Sequence, residues 1–164
     1  MKAIFFLIIF CLSGNQVYGD QKVTIGETAR IEVGGVPFSY LARIDTGAKL
    51  TSIHAINVAI ADESSVVAQN IGKTITFTTM NGDGQVQQLT GVVTKVITVR
   101  NSQGLEQRYV IELPLSWRHV SKKVEVNLRD RTNMTYKLLV GRNWLARDFL
   151  VDVDRKAQEK GNRD

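Results

Sequence analysis

The sequence Ile44-Asp45-Thr46-Gly47-Ala48 decides how the rest of the chain is interpreted, because of the pattern that leads into it. Apolar and polar residues alternate from 29 to 33, as in a half-buried strand. Gly34-Gly35 marks a tight turn, and residues 36–44 predict the returning strand. Asp45 is therefore expected where a strand ends and a loop begins.

A second motif, Leu138-Leu139-Val140-Gly141-Arg142-Asn143, lies near the C-terminal end of the chain. Alone, Asp-Thr-Gly is a tripeptide that occurs often by chance, and Asp and Gly are common wherever a strand turns. The preceding apolar strand, the following alanine and the distant apolar-apolar-glycine motif make the combination more specific. The two motifs together indicate a functional site, and a plain strand-to-turn transition at residues 45–47 is the alternative.

Most of the remaining sequence predicts short strands separated by tight turns. Asn81-Gly82-Asp83-Gly84 is a strong hairpin signal, a second hairpin is predicted across residues 101–104, and a short helix is predicted at 142–148. Further strands are predicted at residues 74–79, 92–99, 108–113, 124–128 and 149–151, with an apolar run at 136–140. This pattern indicates an all-β closed barrel with one short C-terminal helix, and no internal repeat supplies a second aspartate motif.

The N-terminus has the features of a signal peptide. Lys2 provides a positive charge, and residues 3–12 form an apolar run that is too short for a membrane span of about 20 residues. We predict a signal peptide at 1–19, cleaved after Gly19, a single domain at 20–153 and a polar C-terminal tail at 154–164. The mature protein is expected to be exported, periplasmic or secreted, with no stable membrane insertion after cleavage.

Composition excludes several classes of function. Cys11 is the only cysteine and would leave with the signal peptide, so disulfides, thiol catalysis and cysteine-ligated zinc are not expected in the mature chain. The net charge is +5, but the basic residues from Arg100 to Arg131 are interspersed with acids, which favours a solvated surface over nucleic-acid binding. Gly72-Lys73-Thr74 resembles the end of a phosphate loop, but Val67 replaces its first glycine, so no cofactor is predicted.

The two motifs resemble those of retropepsin-like aspartic proteases, whose subunits carry them in the same order. Residues 42–55 are similar to the signature of a bacterial family of such domains, which is often labelled an ATP-dependent zinc protease and is often linked with ATP-grasp ligases that add amino acids to proteins or peptides. One departure is Leu50, where that family usually has a polar or small residue. The C-terminal half fits the same family at Arg131, Met134, Tyr136-Lys137, Leu139-Val140-Gly141-Arg142, Leu145 and Phe149-Leu150-Val151-Asp152.

This resemblance implies hydrolysis of a peptide, or of a related amide bond, by an aspartic endopeptidase. Two carboxylates that share one proton can act as base and acid together, because close like charges separate their pKa values. The chain has one such aspartate, so a homodimer would place two copies of Asp45 on its two-fold axis. The resemblance further implies that Thr46 braces the two loops, that Gly47 allows close approach to the carboxylates, and that Gly141 packs behind them, with Ala48 and Arg142 in support.

Arg43 is a further candidate supporting residue. Residues two apart on a strand share a face, so Arg43 would lie on the Asp45 side and favour the ionised carboxylates. The alternative is a surface ion pair with an acid such as Asp152.

Two other functions remain open, a non-catalytic peptide-binding module with the same fold and a zinc-dependent protease as the family label says. The sequence lacks a His-Glu-x-x-His motif and has two separated histidines, His54 and His119, so no metal site is predicted. A flap, the segment that covers the substrate in such proteases, is expected either at residues 81–84 or at 70–73.

Overall fold

The computed structural model describes residues 22–101 and 104–155. The predicted signal peptide and all but the first two residues of the predicted tail lie outside this part of the chain. The strands are, in chain order, β1 (Val23–Gly26), β2 (Thr28–Val33), β3 (Ser39–Ile44), β4 (Thr51–His54), β5 (Ile56–Ile60), β6 (Thr74–Met80), β7 (Val86–Val92), β8 (Lys95–Asn101), β9 (Gly104–Trp117), β10 (Val120–Arg129), β11 (Leu138–Val140) and β12 (Phe149–Asp152). A 3-10 helix spans Val67–Asn70, and α1 spans Arg142–Leu145.

The largest sheet closes into a ring. Its strand order is β10-β4-β11-β3-β2-β9-β8, and β9 also pairs with β10. The strand β9 can close the ring because it is 14 residues long and bonds to different neighbours along its length. The predicted all-β barrel with one short C-terminal helix is therefore confirmed. Within the described residues no helix is long enough to cross a membrane.

The core inside the ring is formed by the side chains that point inward, which are every second residue along a strand such as β2. In β2, Ala29, Ile31 and Val33 are buried, which is the alternation that predicted this strand. Trp144 of α1 is fully buried and stacks on Phe149, with their ring centroids 4.3 Å apart. The indole N–H of Trp144 donates to the Leu115 carbonyl at 3.2 Å, so its polar atom is satisfied inside the core.

Two smaller sheets lie outside this ring. The strands β1 and β12 pair in parallel, and β5, β6 and β7 form an antiparallel sheet. The β6–β7 hairpin contacts the start of β3, where the Tyr40 hydroxyl lies 2.9 Å from the Thr79 hydroxyl and Asn81 Nδ2 donates to the Ser39 carbonyl at 3.2 Å. The hairpin tip at 81–84 therefore lies near the end of β3 that is distant from Asp45.

Several element bounds differ from the sequence-based prediction. Strand β3 begins at Ser39 rather than Val36, because Val36 closes a turn by donating its N–H to the Val33 carbonyl at 3.1 Å. The helix ends at Leu145, and Arg147 adopts a positive φ of 80° that turns the chain into β12. Strand β4 was not predicted, since its four residues are all buried and show no alternation.

Candidate active site

The two sequence motifs lie side by side in the ring. Strand β11 is inserted between β3, to which it is parallel, and β4, to which it is antiparallel. Val140 is paired with Ile44, and the Asp45 N–H donates to the Val140 carbonyl at 2.9 Å. This pairing fixes the backbone of Asp45 at the point where β3 ends.

The loop after β3 fixes the Asp45 carboxylate through hydrogen bonds from its own backbone. Asp45 Oδ1 accepts hydrogen bonds from the backbone N–H groups of Gly47 at 2.8 Å and Ala48 at 3.1 Å. A Cβ atom at position 47 would lie 3.2 Å from Oδ1, which explains why glycine suits this position. Asp45 is partly exposed, and Thr46 and Gly47 are exposed. One carboxylate oxygen is thus fixed by backbone donors at an accessible surface.

A buried polar network joins the two motifs behind this loop. The Thr51 N–H and hydroxyl both donate to Asn143 Oδ1, at 2.9 and 3.0 Å, and the Thr51 hydroxyl accepts from the Gly141 N–H at 3.2 Å. Asn143 Nδ2 donates to the Glu125 carbonyl at 2.7 Å. A Cβ atom on Gly141 would lie 2.6 Å from the carbonyl carbon of Leu50, so only glycine fits here.

Arg142 is the supporting residue that reaches the aspartate loop directly. Its Nη1 donates to the Thr46 carbonyl at 3.2 Å, and its backbone N–H donates to the Ala48 carbonyl at 2.9 Å. The start of α1 therefore braces both ends of the Thr46–Ala48 turn. The Thr46 hydroxyl makes no hydrogen bond to any part of the chain that the structure describes.

We expect Asn143→Ala to lower the free energy of unfolding by about 1–3 kcal/mol, because it leaves the buried Thr51 donors without an acceptor. Urea denaturation of the purified domain measures this change. Asn133→Ala is the matched control, since Asn133 is exposed and its replacement should change stability by less than about 0.5 kcal/mol. Equal midpoints for the two variants would contradict the bracing role of Asn143.

A cavity of about 560 Å³ adjoins the aspartate loop. It is bounded by residues 48–50 after Asp45, by β8 and by the C-terminal part of β10. Among the lining residues that the structure describes, one is acidic, Glu125, and six are basic, namely Lys49, Lys95, Arg100, Arg108, Arg129 and Arg131. Neither stretch predicted as a flap, 70–73 or 81–84, lines this cavity, whereas β8 of the β8–β9 hairpin does.

Sequence reasoning assigned these arginines to a solvated surface, and for two of them the structure corrects this. Arg108 is 8% exposed and Arg131 is 6% exposed. Arg108 donates to Glu106 at 2.6 Å and to Asn127 at 3.3 Å, while its Nε has no hydrogen-bond partner in the part of the chain that the structure describes. The hydrogen bond from Arg108 lowers the pKa of the Glu106 carboxyl.

Arg131 links the cavity to the catalytic candidate electrostatically. Burial, reinforced by the nearby charges of Arg129 and Arg108, lowers the pKa of Arg131 to about 10, and the Asp45 carboxylate acts in the opposite direction. Arg131 Nε donates to the Tyr136 carbonyl at 2.8 Å, and its terminal nitrogens have no partner within the described residues. A buried cation with unused donors therefore lies in the wall of the cavity.

The profile of a family described as retropepsin-like aspartic endopeptidase RimB matches residues 25–161. The chain belongs to the RimB-like family. The match covers both motifs and the cavity, so the retropepsin-like interpretation of the sequence is confirmed at the level of family and fold.

Curated relatives of this RimB-like chain carry another name. A probable alpha-L-glutamate ligase of Shewanella halifaxensis is 31% identical over 139 residues, which are 81% of this chain and 29% of the ligase. One from Parasynechococcus marenigrum is 28% identical over 142 residues, again 29% of its length. The chain thus spans less than a third of these relatives. A solved Legionella pneumophila protein of unknown function shares the fold, with a TM-score of 0.67, 23% identity, and coverage of 84% of this chain and 98% of that chain.

In this RimB-like structure Arg43 is engaged away from the aspartate. Its Nη1 forms an ion pair with Glu27 at 2.8 Å, and both side chains are partly exposed. The surface ion pair that the sequence suggested as an alternative is present, although its acid is Glu27. Asp152 instead pairs with Arg155 at 3.3 Å.

The described residues do not fit the zinc site that the label of the family suggests. No group of three or more His, Asp or Glu side chains in residues 22–101 and 104–155 could hold a metal ion. His54 is fully buried and its Nδ1 accepts the backbone N–H of Arg131 at 2.9 Å. His119 lines a separate polar cavity of about 330 Å³ with Val23 and Asp148.

Proposed function

We propose that the domain is an aspartic endopeptidase whose dyad consists of Asp45 from two subunits of a homodimer. The observation that carries this proposal is the Asp45 carboxylate, held by the N–H groups of Gly47 and Ala48 at an exposed strand end of a retropepsin-like fold. Thr46 and Gly47 are exposed, so a second copy of the loop can approach them. A two-fold axis through this loop would bring the two carboxylates together.

In the proposed reaction, the ionised carboxylate of the dyad takes a proton from a water molecule, which attacks the carbonyl carbon of the scissile amide. The protonated carboxylate donates a hydrogen bond, and then its proton, to the carbonyl oxygen. The tetrahedral intermediate collapses, the C–N bond breaks, and the nitrogen leaves with a proton from the dyad. The products are a carboxylic acid and an amine, so atoms and protons balance without a cofactor.

The cavity supports an acidic peptide as the substrate. Arg108, Arg129 and Arg131 converge on one wall beside the aspartate loop, and arginine binds carboxylates through charge-assisted hydrogen bonds. The curated relatives are named as ligases of alpha-L-glutamate, and a glutamyl chain carries the carboxylates that these arginines would bind. In a two-fold dimer the cavity occurs twice, so the preferred substrate would carry acidic residues on both sides of the cleaved bond.

We expect an oligoglutamate peptide to be hydrolysed with a kcat/KM about 10- to 100-fold higher than its glutamine counterpart, because each lost charged hydrogen bond costs about 1.5–3 kcal/mol. Chromatographic analysis of the products with both peptides measures this ratio. Arg129→Gln should reduce the preference, whereas Lys123→Gln should not, since Lys123 is 64% exposed and pairs with Glu112 outside the cavity. Equal rates with the two peptides would rule out the proposed specificity.

A non-catalytic peptide-binding module is the second candidate. One finding favours it. The sequence match covers 29% of the length of each of two relatives named as ligases, and in such a protein this domain could hold a peptide for another active site. The basic cavity would serve that purpose without using Asp45. The two candidates differ in what happens to binding and turnover when the Asp45 carboxylate is removed.

A further inference from the structure

His54, the last residue of β4, is completely buried beside the residue that places a guanidinium in the cavity wall. Its Nδ1 accepts the Arg131 backbone N–H at 2.9 Å, and the backbone N–H of His54 donates to the Lys137 carbonyl at 2.7 Å. Because Nδ1 acts as an acceptor, it carries no proton, and the imidazole is neutral with its hydrogen on Nε2. Nε2 is buried and has no hydrogen-bond partner among residues 22–101 and 104–155.

The loop from Asp130 to Lys137 is closed on itself around Arg131. The Lys137 ammonium donates to the carbonyl oxygens of Arg131 at 3.1 Å, Thr132 at 2.7 Å and Met134 at 2.8 Å. Arg131 Nε donates to the Tyr136 carbonyl at 2.8 Å. Two hydrogen bonds tie this closed loop to β4, one from the His54 backbone N–H to the Lys137 carbonyl and one from the Arg131 backbone N–H to the His54 imidazole. The imidazole is the one of the two that holds the Arg131 backbone.

We propose that His54 is a positioning residue for substrate binding, which holds Arg131 at the cavity while its imidazole is neutral and releases it when the imidazole is protonated. This inference rests on the proposed function in one respect, that Arg131 binds acidic groups of the substrate. The coupling between His54 and Arg131 itself depends only on the contacts of the loop.

The charges around His54 determine the direction of the effect. Burial lowers the pKa of His54 most strongly, Asp130 opposes this, and Lys137 and Arg131 lower the pKa further. Asp130 Oδ1 lies 3.8 Å from Nδ1, and the Arg129 side chain beside it in β10 is directed toward Glu106. A protonated Nδ1 would face the Arg131 N–H as a second donor, and its proton would be drawn toward Asp130 instead.

Proton linkage determines whether acidification favours the closed loop or the open loop. The closed loop keeps His54 neutral, whereas an open loop lets it take a proton near the ordinary pKa of 6.5. Acidification below this value therefore stabilises the open loop relative to the closed one. The affinity for an acidic peptide should fall in the same range, by up to about tenfold per pH unit.

The test compares binding of a fluorescent oligoglutamate peptide from pH 8 to pH 5 in the Asp45→Asn background, which removes titration of the dyad. His54→Asn is the informative variant, because its Oδ1 occupies the place of Nδ1 and accepts a hydrogen bond without titrating. The dissociation constant should rise on acidification about tenfold more with His54 present than with His54→Asn. His54→Leu, which offers no acceptor, should bind weakly at every pH, and thermal melts verify that each variant is folded.

A second measurement does not depend on peptide binding or on the folding of any variant. In the NMR spectrum of the wild-type protein, the Arg131 amide should shift with the same apparent pKa as the His54 imidazole. An Arg131 amide that stays constant while His54 titrates would overturn the proposal, as would identical pH dependence of binding for His54 and His54→Asn. If the amide titrates but the wild-type protein binds no oligoglutamate at any pH, the proposed substrate is wrong and the coupling stands.

Discussion

Asp45→Asn should reduce peptide hydrolysis by about a thousandfold or more, because it removes both the base and the acid of the dyad at once. The substitution is nearly isosteric, and the asparagine Oδ1 can still accept the N–H groups of Gly47 and Ala48 that now bind the carboxylate. The melting temperature should therefore change little. Initial rates on an oligoglutamate peptide, with wild-type and variant protein at equal concentration, give the ratio.

The matched control is Asp83→Asn, which changes an exposed carboxylate in the β6–β7 turn, remote from the site. This variant should retain full activity. Loss of turnover in Asp45→Asn together with unchanged peptide affinity is the expected pattern for a catalytic aspartate. A wild-type protein that binds the peptide and does not hydrolyse it would instead establish the peptide-binding module.

The position of the aspartate could be predicted from sequence because it depends on local patterns. Alternation in β2 and β3, a Gly-Gly turn and an abrupt end to the apolar run are visible in adjacent residues. The insertion of β11 beside Asp45 also agrees with the two motifs that the sequence presented together. What these patterns could not provide is strand β4, whose residues are buried on both faces and therefore do not alternate.

The arginine cluster was missed for a different reason. Arg108 on β9 and Arg129 at the end of β10 approach each other through antiparallel pairing of the two strands, and Arg131 joins them because the loop after β10 folds back on β4. Among interspersed acids, the same residues have the composition of a solvated surface. For Arg43 the sequence left two alternatives, a position facing Asp45 or a surface ion pair, and the structure shows the ion pair, with Glu27 rather than Asp152 as the acid. In both cases the position of the side chain depends on strand register and on partners that are distant in sequence, which local patterns do not show.

Activity should depend on dimer formation, because the proposed dyad takes one Asp45 from each chain. Below the dissociation constant of the dimer, each tenfold dilution should reduce the rate per chain by about tenfold, since the dimer fraction becomes proportional to concentration. Sedimentation velocity over the same concentrations gives the dimer fraction. A protein that sediments as a monomer and retains its full rate per chain would refute the shared dyad.

Two experiments, the Thr46→Arg variant and the mixing of active and inactive subunits, distinguish a dyad shared by two subunits from a dimer that is needed only for folding. Thr46 is exposed beside Asp45, so an arginine there would place two like charges against each other across the proposed axis and should yield a folded, monomeric and inactive chain. Thr90→Arg, at an exposed position on β7, is the matched control and should remain dimeric and active.

After subunit exchange with a ninefold excess of Asp45→Asn, about one wild-type chain in ten pairs with another wild-type chain. The rate per wild-type chain should then fall about tenfold, since a mixed dimer holds one carboxylate where the reaction needs two. An unchanged rate after complete exchange would mean that each subunit works alone, and the two-fold dyad would be wrong.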